Sequence, residues 1–412
     1  MLFLYNILIH IAWFILRIIS LFNPKIKLFI KGRNESFHKL NTIQKNDKVI
    51  WFHAASLGEF EQGRPIIEKI DKLYPAYKIV VTFFSPSGYE IRKNYPNADV
   101  ICYLPFDTKA NVKRFVSELN PEFAIIIKYE FWPNLLNELQ KKAIPTILVS
   151  GIFREEQLFF KWYGIWMQKY LKTFQHLFVQ NTKSKELLNK INLNNVTVSG
   201  DTRFDRVHEI LQQQNSVDFI NEFKNNTYTL VAGSTWKEDE ELLIHYINNH
   251  LSTDKKIIIA PHNIKTESIK SLQRAIKANS VLFSEKEDKN LADFNVFIVD
   301  TIGLLTKIYS YADVAYVGGG LGTGLHNILE PATFGIPVVF GGHKYDKFQE
   351  AKDLIALGGA TAIKTETEFC SIFASLKNDN NLRNKMGAVN QKYIQQNVGA
   401  TETIMSYLKN NL

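Results

Sequence analysis

Cysteine is nearly absent from this chain of 412 residues, which contains only Cys102 and Cys370. The two lie far apart and form no CxxC or metal-ligand spacing. A disulfide framework and a cysteine-based zinc site are therefore not expected. This cysteine usage fits a reducing compartment best.

Several catalytic and binding signatures are also missing. The chain has no Walker A loop, no HExxH, no GxSxG and no paired Cys/His set, and its acidic run 238–241 is typical of the first turn of a helix rather than of a metal cluster. Chemistry without a metal or a bound cofactor is favoured. No zinc-finger, RRM or KH pattern is present, so we expect no nucleic-acid partner.

Charge of one sign is in excess. The formal net charge is +8 and the pI about 9.1, which favours anionic partners such as phospholipid or phosphorylated ligands. A solvated lysine-rich surface is the other interpretation. With 45% hydrophobic and 22% charged residues, the composition is globular, and the length predicts two domains.

Residues 2–22 form the one long apolar segment, just long enough to cross a bilayer. Asn6, His10, Arg17 and Ser20 fall on one narrow stripe of a helix, with Trp13 among them. Such a stripe suits an anchor lying in the membrane surface, or a spanning helix whose stripe meets protein. A cleaved signal peptide and a buried core helix are the competing interpretations.

Four basic residues follow the apolar segment directly: Lys25, Lys27, Lys31 and Arg33. They predict that the chain after residue 22 lies on the cytoplasmic side, close to anionic lipid. The same position argues against a signal peptide, in which the basic residues come first.

Short apolar, β-branched runs alternate with helical patterns after residue 45, which predicts two parallel sheets covered on both faces. The predicted strands are 48–53, 78–84, 99–104, 123–128, 145–150 and 176–180 in the first half, and 227–232, 256–260, 279–283, 296–300, 313–317 and 337–340 in the second.

The predicted organisation has three parts. Residues 1–34 are an anchor helix with a basic skirt, 35–210 form the first α/β domain, and 211–412 form the second with the terminal helices. Each α/β domain is expected to be a doubly wound, Rossmann-like fold. Ligands of such folds bind at the carboxyl ends of the strands, so we expect the site in a cleft between the domains.

Two acidic clusters follow predicted strands of the first domain. In the cluster from His53 to Glu61, Gly58 permits a tight turn, and Glu59 either complements a helix dipole or acts as a general base, with Glu61 as the neighbouring alternative. In the second cluster, Glu130 is suited to orienting a substrate or a catalytic partner, or is a first-turn acid before a helical proline.

Arg203 near the end of the first domain is suited to binding a phosphate leaving group, because its guanidinium presents a fork of donors. An ion pair with Asp201 or Asp205 is the competing interpretation.

The glycine-rich run 318–324 follows strand 313–317 and is predicted to open a helix, where bare backbone amides such as that of Gly320 bind phosphate. Its late position argues against a nicotinamide dinucleotide fold. Asn327 and Glu330 lie three apart on one predicted helical face, a pair suited to holding a ribose. A glycine-rich packing turn is the alternative.

Three further loops of the second domain follow predicted strands and should line one edge: 233–236, 261–263 and 300–303. Ser234 and Thr235 also suit plain capping of a helix over 237–249, and a lone His262 is more often structural.

Together these segments resemble the 3-deoxy-D-manno-octulosonic acid (Kdo) transferases of lipopolysaccharide assembly over nearly the whole chain. The resemblance rests on the order and spacing of HAASLGEFEQ (53–62), YEFWPN (129–134), GSTWKEDEELL (233–243), APHN (260–263), VDTIGLL (299–305) and GLHNILEPATFGIPVVFG (324–341).

The resemblance implies a two-domain GT-B fold and a CMP-Kdo donor. It also implies inverting transfer of Kdo to the tetraacyl disaccharide precursor of lipid A (lipid IVA) at the cytoplasmic face of the inner membrane. The first domain would bind this acceptor and the second the CMP-sugar.

The resemblance assigns the general base to Glu59, the second essential glutamate to Glu130, and stabilisation of the departing phosphate to Arg203, where the family more often has lysine. At the nucleotide, Pro261 and His262 match a PRH-like stretch, although here histidine follows proline directly. Further nucleotide contacts fall on Thr301, Ile302, Gly303, Asn327 and Glu330.

Two other functions are compatible with the motifs. One is a GT-B enzyme for a different sugar nucleotide, or an epimerase of the UDP-N-acetylglucosamine 2-epimerase kind. The other is a membrane-anchored nucleotide-binding protein without catalysis, in which Glu59→Gln would leave function intact.

Overall fold

The computed structural model describes all 412 residues, and the chain divides into two units. The first unit comprises Met1–Asp205 together with Val398–Leu412, and the second comprises Arg206–Asn397.

The first unit contains one parallel sheet of seven strands in the order β3-β2-β1-β4-β5-β6-β7. The strands are β1 (Lys48–Ala54), β2 (Tyr77–Phe83), β3 (Val100–Tyr103), β4 (Phe123–Ile127), β5 (Thr146–Gly151), β6 (His176–Val179) and β7 (Val196–Val198).

Both faces of this sheet are covered, which explains its unbroken apolar strands. Every residue of β4 is buried. Since β1 and β4 are neighbours while the chain moves outward from each of them, the loops after these two strands part at the switch point of the sheet.

The helices of the first unit are α1 (Leu2–Ile19), α2 (Pro24–Leu40), α3 (Leu57–Leu73), α4 (Pro86–Arg92), α5 (Lys109–Leu119), α6 (Pro133–Lys141), α7 (Ile165–Leu171) and α8 (Thr182–Asn189). Helix α9 (Thr202–Ile210) contains the boundary between the units.

Helix α1 is long and apolar enough to cross a membrane, and Ile9 is its one buried residue. The core-helix interpretation is therefore wrong. Part of the polar stripe meets protein: the Asn6 side chain accepts a hydrogen bond from Asn134 at 2.9 Å, and Trp13 stacks on Phe106 with centroids 4.8 Å apart.

The predicted basic skirt is only partly correct. Lys25, Lys27 and Lys31 are exposed, but Arg33 is buried because its guanidinium lies against aromatic rings of the first unit. Helix α2, moreover, continues past residue 34 to Leu40.

The second unit has its own parallel sheet of seven strands, in the order β10-β11-β9-β8-β12-β13-β14. The strands are β8 (Tyr228–Thr235), β9 (Lys255–Pro261), β10 (Ser280–Leu282), β11 (Val296–Ile298), β12 (Val314–Val317), β13 (Val338–Gly341) and β14 (Ala360–Ile363). Its switch point lies between β8 and β12.

The helices that follow along the chain are α10 (Asp218–Lys224), α11 (Lys237–His250), α12 (Thr266–Ala275), α13 (Leu305–Ile308), α14 (Leu329–Thr333), α15 (Gln349–Leu357), α16 (Glu366–Asn378), α17 (Asn380–Asn397) and α18 (Ala400–Lys409). Short 3-10 turns occur at 158–160, 162–164, 283–285, 291–293 and 309–311.

Helix α18 was expected in the second domain and lies in the first unit instead. Ile404, Met405 and Leu408 are buried in the apolar cluster that contains residues of β1, β2 and α3. The Asp205 carboxylate accepts the N–H groups of Gly399 and Thr401 and fixes the start of the helix. The apolar face of α18 thus determines its place.

Two strands, β7 and β14, were not predicted. They contain three and four residues, and each lies at the end of its sheet. Both are only partly buried, so neither produces an unbroken apolar run. The predicted helix over 237–249 matches α11.

Candidate active site

Glu59 lies in the first turn of α3, directly after β1, at the carboxyl edge of the first sheet. Its side chain is buried, with 9% of the residue exposed. Oε2 accepts the backbone N–H of Ala55 at 2.5 Å, while Oε1 has no hydrogen bond from the protein. Glu59 thus fixes the turn between β1 and α3 with one oxygen and presents the other.

Burial and, next, the negative charge of Glu130 raise the pKa of Glu59 above its usual value, while the hydrogen bond from Ala55 opposes them. The two carboxylates that sequence reasoning singled out therefore act on each other. A higher pKa makes the Glu59 carboxylate a stronger base.

Glu130 follows β4, the neighbour of β1, and is held by two donors on one oxygen. His53 Nε2 donates to Oε2 at 3.1 Å, and Trp132 Nε1 donates to the same oxygen at 2.7 Å. The His53 ring is itself fixed, because Nδ1 lies 2.9 Å from Thr82 Oγ1. Glu130 precedes α6, which begins at Pro133, so it is not a first-turn acid.

The backbone is strained at the carboxyl edge of each sheet. Lys128, at the end of β4, has φ of +70°, and Ser234 near the end of β8 has φ of +54°. Non-glycine residues in the left-handed region cost of order 1–3 kcal/mol and concentrate at functional sites. Both positions lie at a switch point, where ligands of such sheets bind.

Gly58 does not form the tight turn expected of it. It lies inside the first turn of α3 without a positive φ, and a Cβ placed there would have nothing within 4 Å. The backbone therefore does not require glycine, and the position leaves open space beside Glu59.

Arg203 pairs with Asp201: Nη2 lies 2.7 Å from Oδ2, and Nε donates to the same oxygen at 2.9 Å. This is the ion pair that the sequence left as the alternative to a phosphate role. Burial raises the pKa of Tyr129, and the negative charges of Glu59 and then Asp201 act in the same direction, so the ion pair lies near the Glu130 loop.

The glycine-rich loop differs from the expected phosphate site. Residues 318–323 form turns and 324–328 are irregular, so the loop does not open a helix directly, and the helix that follows, α14, has five residues. A Cβ on Gly320 would lie 2.1 Å from the Gly341 carbonyl oxygen, so this glycine is needed for packing. Packing therefore requires glycine at position 320, and the binding of phosphate by its amide stays a prediction.

An internal carboxylate binds one amide of this loop. Asp239, in the first turn of α11, accepts the N–H of Gly319 at 2.8 Å, the N–H of Trp236 at 2.9 Å and the Tyr316 hydroxyl at 2.7 Å. The acidic run 238–241 is thus the first turn of a helix, as predicted. Asp239 within it also holds the glycine-rich loop in place through its hydrogen bond from Gly319.

Asn327 and Glu330 are in contact but not on one helical face. Glu330 lies in α14, whereas Asn327 precedes it and caps it by accepting the N–H of Leu329 at 3.1 Å. Asn327 Nδ2 donates to Glu330 Oε1 at 3.1 Å, and Thr306 donates to Oε2 at 2.8 Å. The pair therefore forms a hydrogen-bonded polar group with Thr306.

The other predicted nucleotide contacts lie at the carboxyl edge of the second sheet. Pro261 ends β9, and His262 donates its backbone N–H to Thr235 at 2.9 Å. Thr301, Ile302 and Gly303 follow β11; Ile302 is 83% exposed and Gly303 has φ of +95°. An exposed apolar side chain in a loop of this kind is available to a ligand.

Three aromatic rings stack at this edge. The Trp236 indole lies over His262 with centroids 4.4 Å apart, and the rings of His262 and His326 are 4.7 Å apart. Trp236 Nε1 donates to His326 Nε2 at 2.8 Å, so that nitrogen carries no proton. Burial, and then the neighbouring His262, lower the pKa of His326 to about 4. The stack is uncharged.

Sequence reasoning missed several of these contacts. His53, Trp236 and His326 stood inside the quoted motifs without a role, and a histidine within an apolar strand was the one signal for His53. Thr306, in the short helix α13, gave no signal, because a single threonine outside any motif is common.

One further group has the composition of a metal site. The ligand atoms of His245, His250 and Glu366 lie within 4.8 Å of one another. These residues belong to α11 and α16 and not to the loops described above.

Comparison with known proteins identifies several 3-deoxy-D-manno-octulosonic acid transferases among the relatives of this chain. The profile of the family described as 3-deoxy-D-manno-octulosonic-acid transferase (kdotransferase) matches residues 13–206. The 3-deoxy-D-manno-octulosonic acid transferase of Rickettsia bellii is 28% identical over 347 residues, which cover 82% of this chain and 82% of that protein. The enzyme of the same name from Aquifex aeolicus is 29% identical over 339 residues, with coverage of 81% and 87%.

The fold has solved counterparts. The UDP-GlcNAc 2-epimerase of Neisseria meningitidis superposes with a TM-score of 0.61 at 14% identity, covering 88% of this chain and 100% of that one. At that identity the likeness concerns the fold alone. Two Rossmann-like units with parallel sheets are the GT-B architecture, as predicted.

We predict that His326 stays neutral down to about pH 4 in the folded protein and that Trp236→Phe raises its pKa toward 6.5. The smaller ring reduces the burial that lowers this pKa, and the indole N–H no longer occupies Nε2. Titration of the imidazole C–H resonances by NMR measures this. Since the pKa of the folded state is below that of the unfolded state, stability should fall as the pH drops from about 6.5 to about 4. An unchanged His326 titration in Trp236→Phe would contradict the tautomer assignment.

Proposed function

Because the chain belongs to the Kdo transferase family of glycosyltransferases, we propose that it transfers Kdo from CMP-Kdo to the tetraacyl disaccharide precursor of lipid A. Its place is in lipopolysaccharide biosynthesis. The proposed reaction inverts the anomeric carbon and requires neither a metal nor a bound cofactor.

The pair of carboxylates at the switch point of the first sheet carries this proposal. Glu59 is buried, has a raised pKa and presents Oε1, and Glu130 is held by two donors beside it. A sugar hydroxyl is a poor nucleophile near neutral pH, so a positioned base of this strength speeds its attack.

In the proposed step, the acceptor hydroxyl gives its proton to Glu59 as its oxygen bonds to the anomeric carbon of Kdo. The bond from that carbon to the CMP phosphate breaks, and its electron pair leaves with the phosphate. One displacement without a covalent intermediate inverts the configuration. Arg203 would exchange part of its contact with Asp201 for the departing phosphate, whose charge it stabilises.

The proposed donor site is the carboxyl edge of the second sheet. The neutral stack of Trp236, His262 and His326 offers ring faces and edges to a nucleobase. Glu330 and Asn327 present oxygens suited to ribose hydroxyls. Thr301, Ile302 and Gly303 would contact the nucleotide from the loop after β11.

We further propose that α1 lies in the surface of the inner membrane, with the α/β units in the cytoplasm. Ten large apolar residues between Met1 and Ile19 are at least 41% exposed, among them Phe3 and Phe14. A helix docked along a protein surface by its polar stripe is held in the membrane plane. The exposed Lys25, Lys27 and Lys31 follow it and suit anionic lipid.

We predict that Glu59→Gln lowers the rate of Kdo transfer by about 10²–10⁴-fold and leaves CMP binding intact, because the amide cannot take a proton. Glu61→Gln is the matched control: its carboxylate pairs with Arg92 and Arg64 and should not be needed for proton transfer. The assay follows transfer from CMP-Kdo generated in situ to the lipid A precursor.

The pH dependence of the transfer rate, measured in the same assay, tests the role of Glu59 a second time. Activity should decline as the pH falls through the raised pKa of Glu59, at a pH above the ordinary glutamate range. Full transfer activity of Glu59→Gln would contradict the assignment of Glu59 as the base and would indicate a different base.

We predict that CMP competes with the donor and that UDP does not. Displacement of a fluorescent cytidine nucleotide, measured by anisotropy, tests this. Competition by UDP alone would exclude CMP-Kdo and favour an enzyme for a uridine sugar nucleotide, such as an epimerase.

We predict that replacing Ile7, Phe14 and Ile18 by serine releases the protein from vesicles of anionic phospholipid, because the three side chains form part of the exposed apolar face of α1. Serine at Leu73, Ile91 and Leu357, which are exposed elsewhere on the protein, is the control.

The orientation is tested separately. Cleavage by protease in inside-out but not right-side-out inner-membrane vesicles would support the orientation; the reverse would exclude it.

A further inference from the structure

Arg33 of α2 is a buried cation with 3% of the residue exposed. Its guanidinium carbon lies 3.5 Å from the ring centroid of Phe29 and 4.6 Å from that of Phe84. Nη2 donates to the Phe84 carbonyl oxygen at 2.7 Å. Burying an arginine without hydrogen bonds is costly. The bond from Arg33 to the Phe84 carbonyl oxygen is therefore favoured, and it fixes the position of Phe84.

Phe84 in turn contacts the Glu130 loop. Its ring stacks on Trp132 with centroids 4.8 Å apart and 24° between the planes. The indole N–H of Trp132 donates to Glu130 Oε2 at 2.7 Å. A continuous series of contacts therefore connects α2 to the Glu130 carboxylate.

Helix α1 reaches the other end of the same loop. The Tyr5 hydroxyl donates to Asp107 Oδ2 at 2.7 Å. Asp107 also accepts the N–H groups of Asn134 at 3.0 Å and Leu135 at 2.9 Å, in the first turn of α6. That turn begins directly after Trp132, so α1 helps to fix the end of the loop.

We propose that α1 and α2 position Glu130, with Arg33 and Tyr5 as positioning residues, in addition to their contact with the membrane. This inference rests on the proposed function of Glu130. The loop between β4 and α6 belongs to no strand or helix and starts from the strained Lys128, so its geometry depends on contacts such as these. Misplacement of a reacting group by about 1 Å can cost about 10²-fold in rate.

The decisive comparison is Arg33→Met against Lys31→Met. Both remove one positive charge from α2, but Lys31 is exposed. With the acceptor in detergent micelles, where attachment to a bilayer does not limit the rate, Arg33→Met should lower kcat at least tenfold and leave KM for the donor unchanged. Lys31→Met should keep the wild-type kcat, and Arg33→Lys should recover part of the loss because it keeps the cation between the rings.

A readout independent of activity is the indole ¹⁵N–H resonance of Trp132, identified among the six tryptophans by its loss in Trp132→Phe. Arg33→Met should move this resonance and Lys31→Met should not. Tyr5→Phe, which removes one oxygen from an exposed helix, should also move it, and it serves if Arg33→Met fails to fold.

An unmoved resonance in folded Arg33→Met and Tyr5→Phe would overturn the inference, as would equal kcat values for Arg33→Met and Lys31→Met. If the wild type transfers no Kdo, the proposed function fails. The resonance still decides whether the two helices position the loop.

Discussion

A parallel sheet that is apolar on both faces can carry polar chemistry only beyond the ends of its strands, and both units of this protein depend on that constraint. In the first unit, β1 and β4 are buried along nearly their whole length. The first polar groups available to a ligand come in the loops after them, where Glu59 and Glu130 lie. The second unit repeats the arrangement, with Trp236 after β8 and His326 after β12.

The groups at the carboxyl edge of the sheet differ in charge between the two units. The first concentrates charge, because two carboxylates act on each other, an imidazole donates to one of them, and an Asp201–Arg203 pair lies nearby. The second keeps its stack of rings neutral, and the Asp239 carboxylate is satisfied by N–H and hydroxyl donors. Proton transfer suits the first edge, and recognition of a planar base suits the second.

How well the sequence predicts a site residue depends on how far apart in the chain the residues that contact it lie. The positions of Glu59 and Glu130 follow from strand pattern alone, because each comes directly after an apolar run. The structure of the glycine-rich loop is only partly predictable from the sequence, because the carboxylate that binds Gly319 comes from Asp239, 80 residues earlier in the chain.

Arg33 shows the same limit. Four basic residues between positions 25 and 33 predict a surface patch, and only the fold shows that one of them, Arg33, turns inward between Phe29 and Phe84. The helical pattern of α18 was recognised, but the sequence does not state which sheet its apolar face will cover.

The return of α18 to the first unit has a consequence for biosynthesis. Helix α3, which carries Glu59, shares its apolar cluster with Ile404, Met405 and Leu408, and Tyr407 covers Phe178 of β6. On the ribosome these residues emerge only after the whole second unit has been translated. The first unit therefore completes its core last, and a nascent chain stopped before residue 400 would present helix α3 on an incomplete core, exposed to chaperones and proteases.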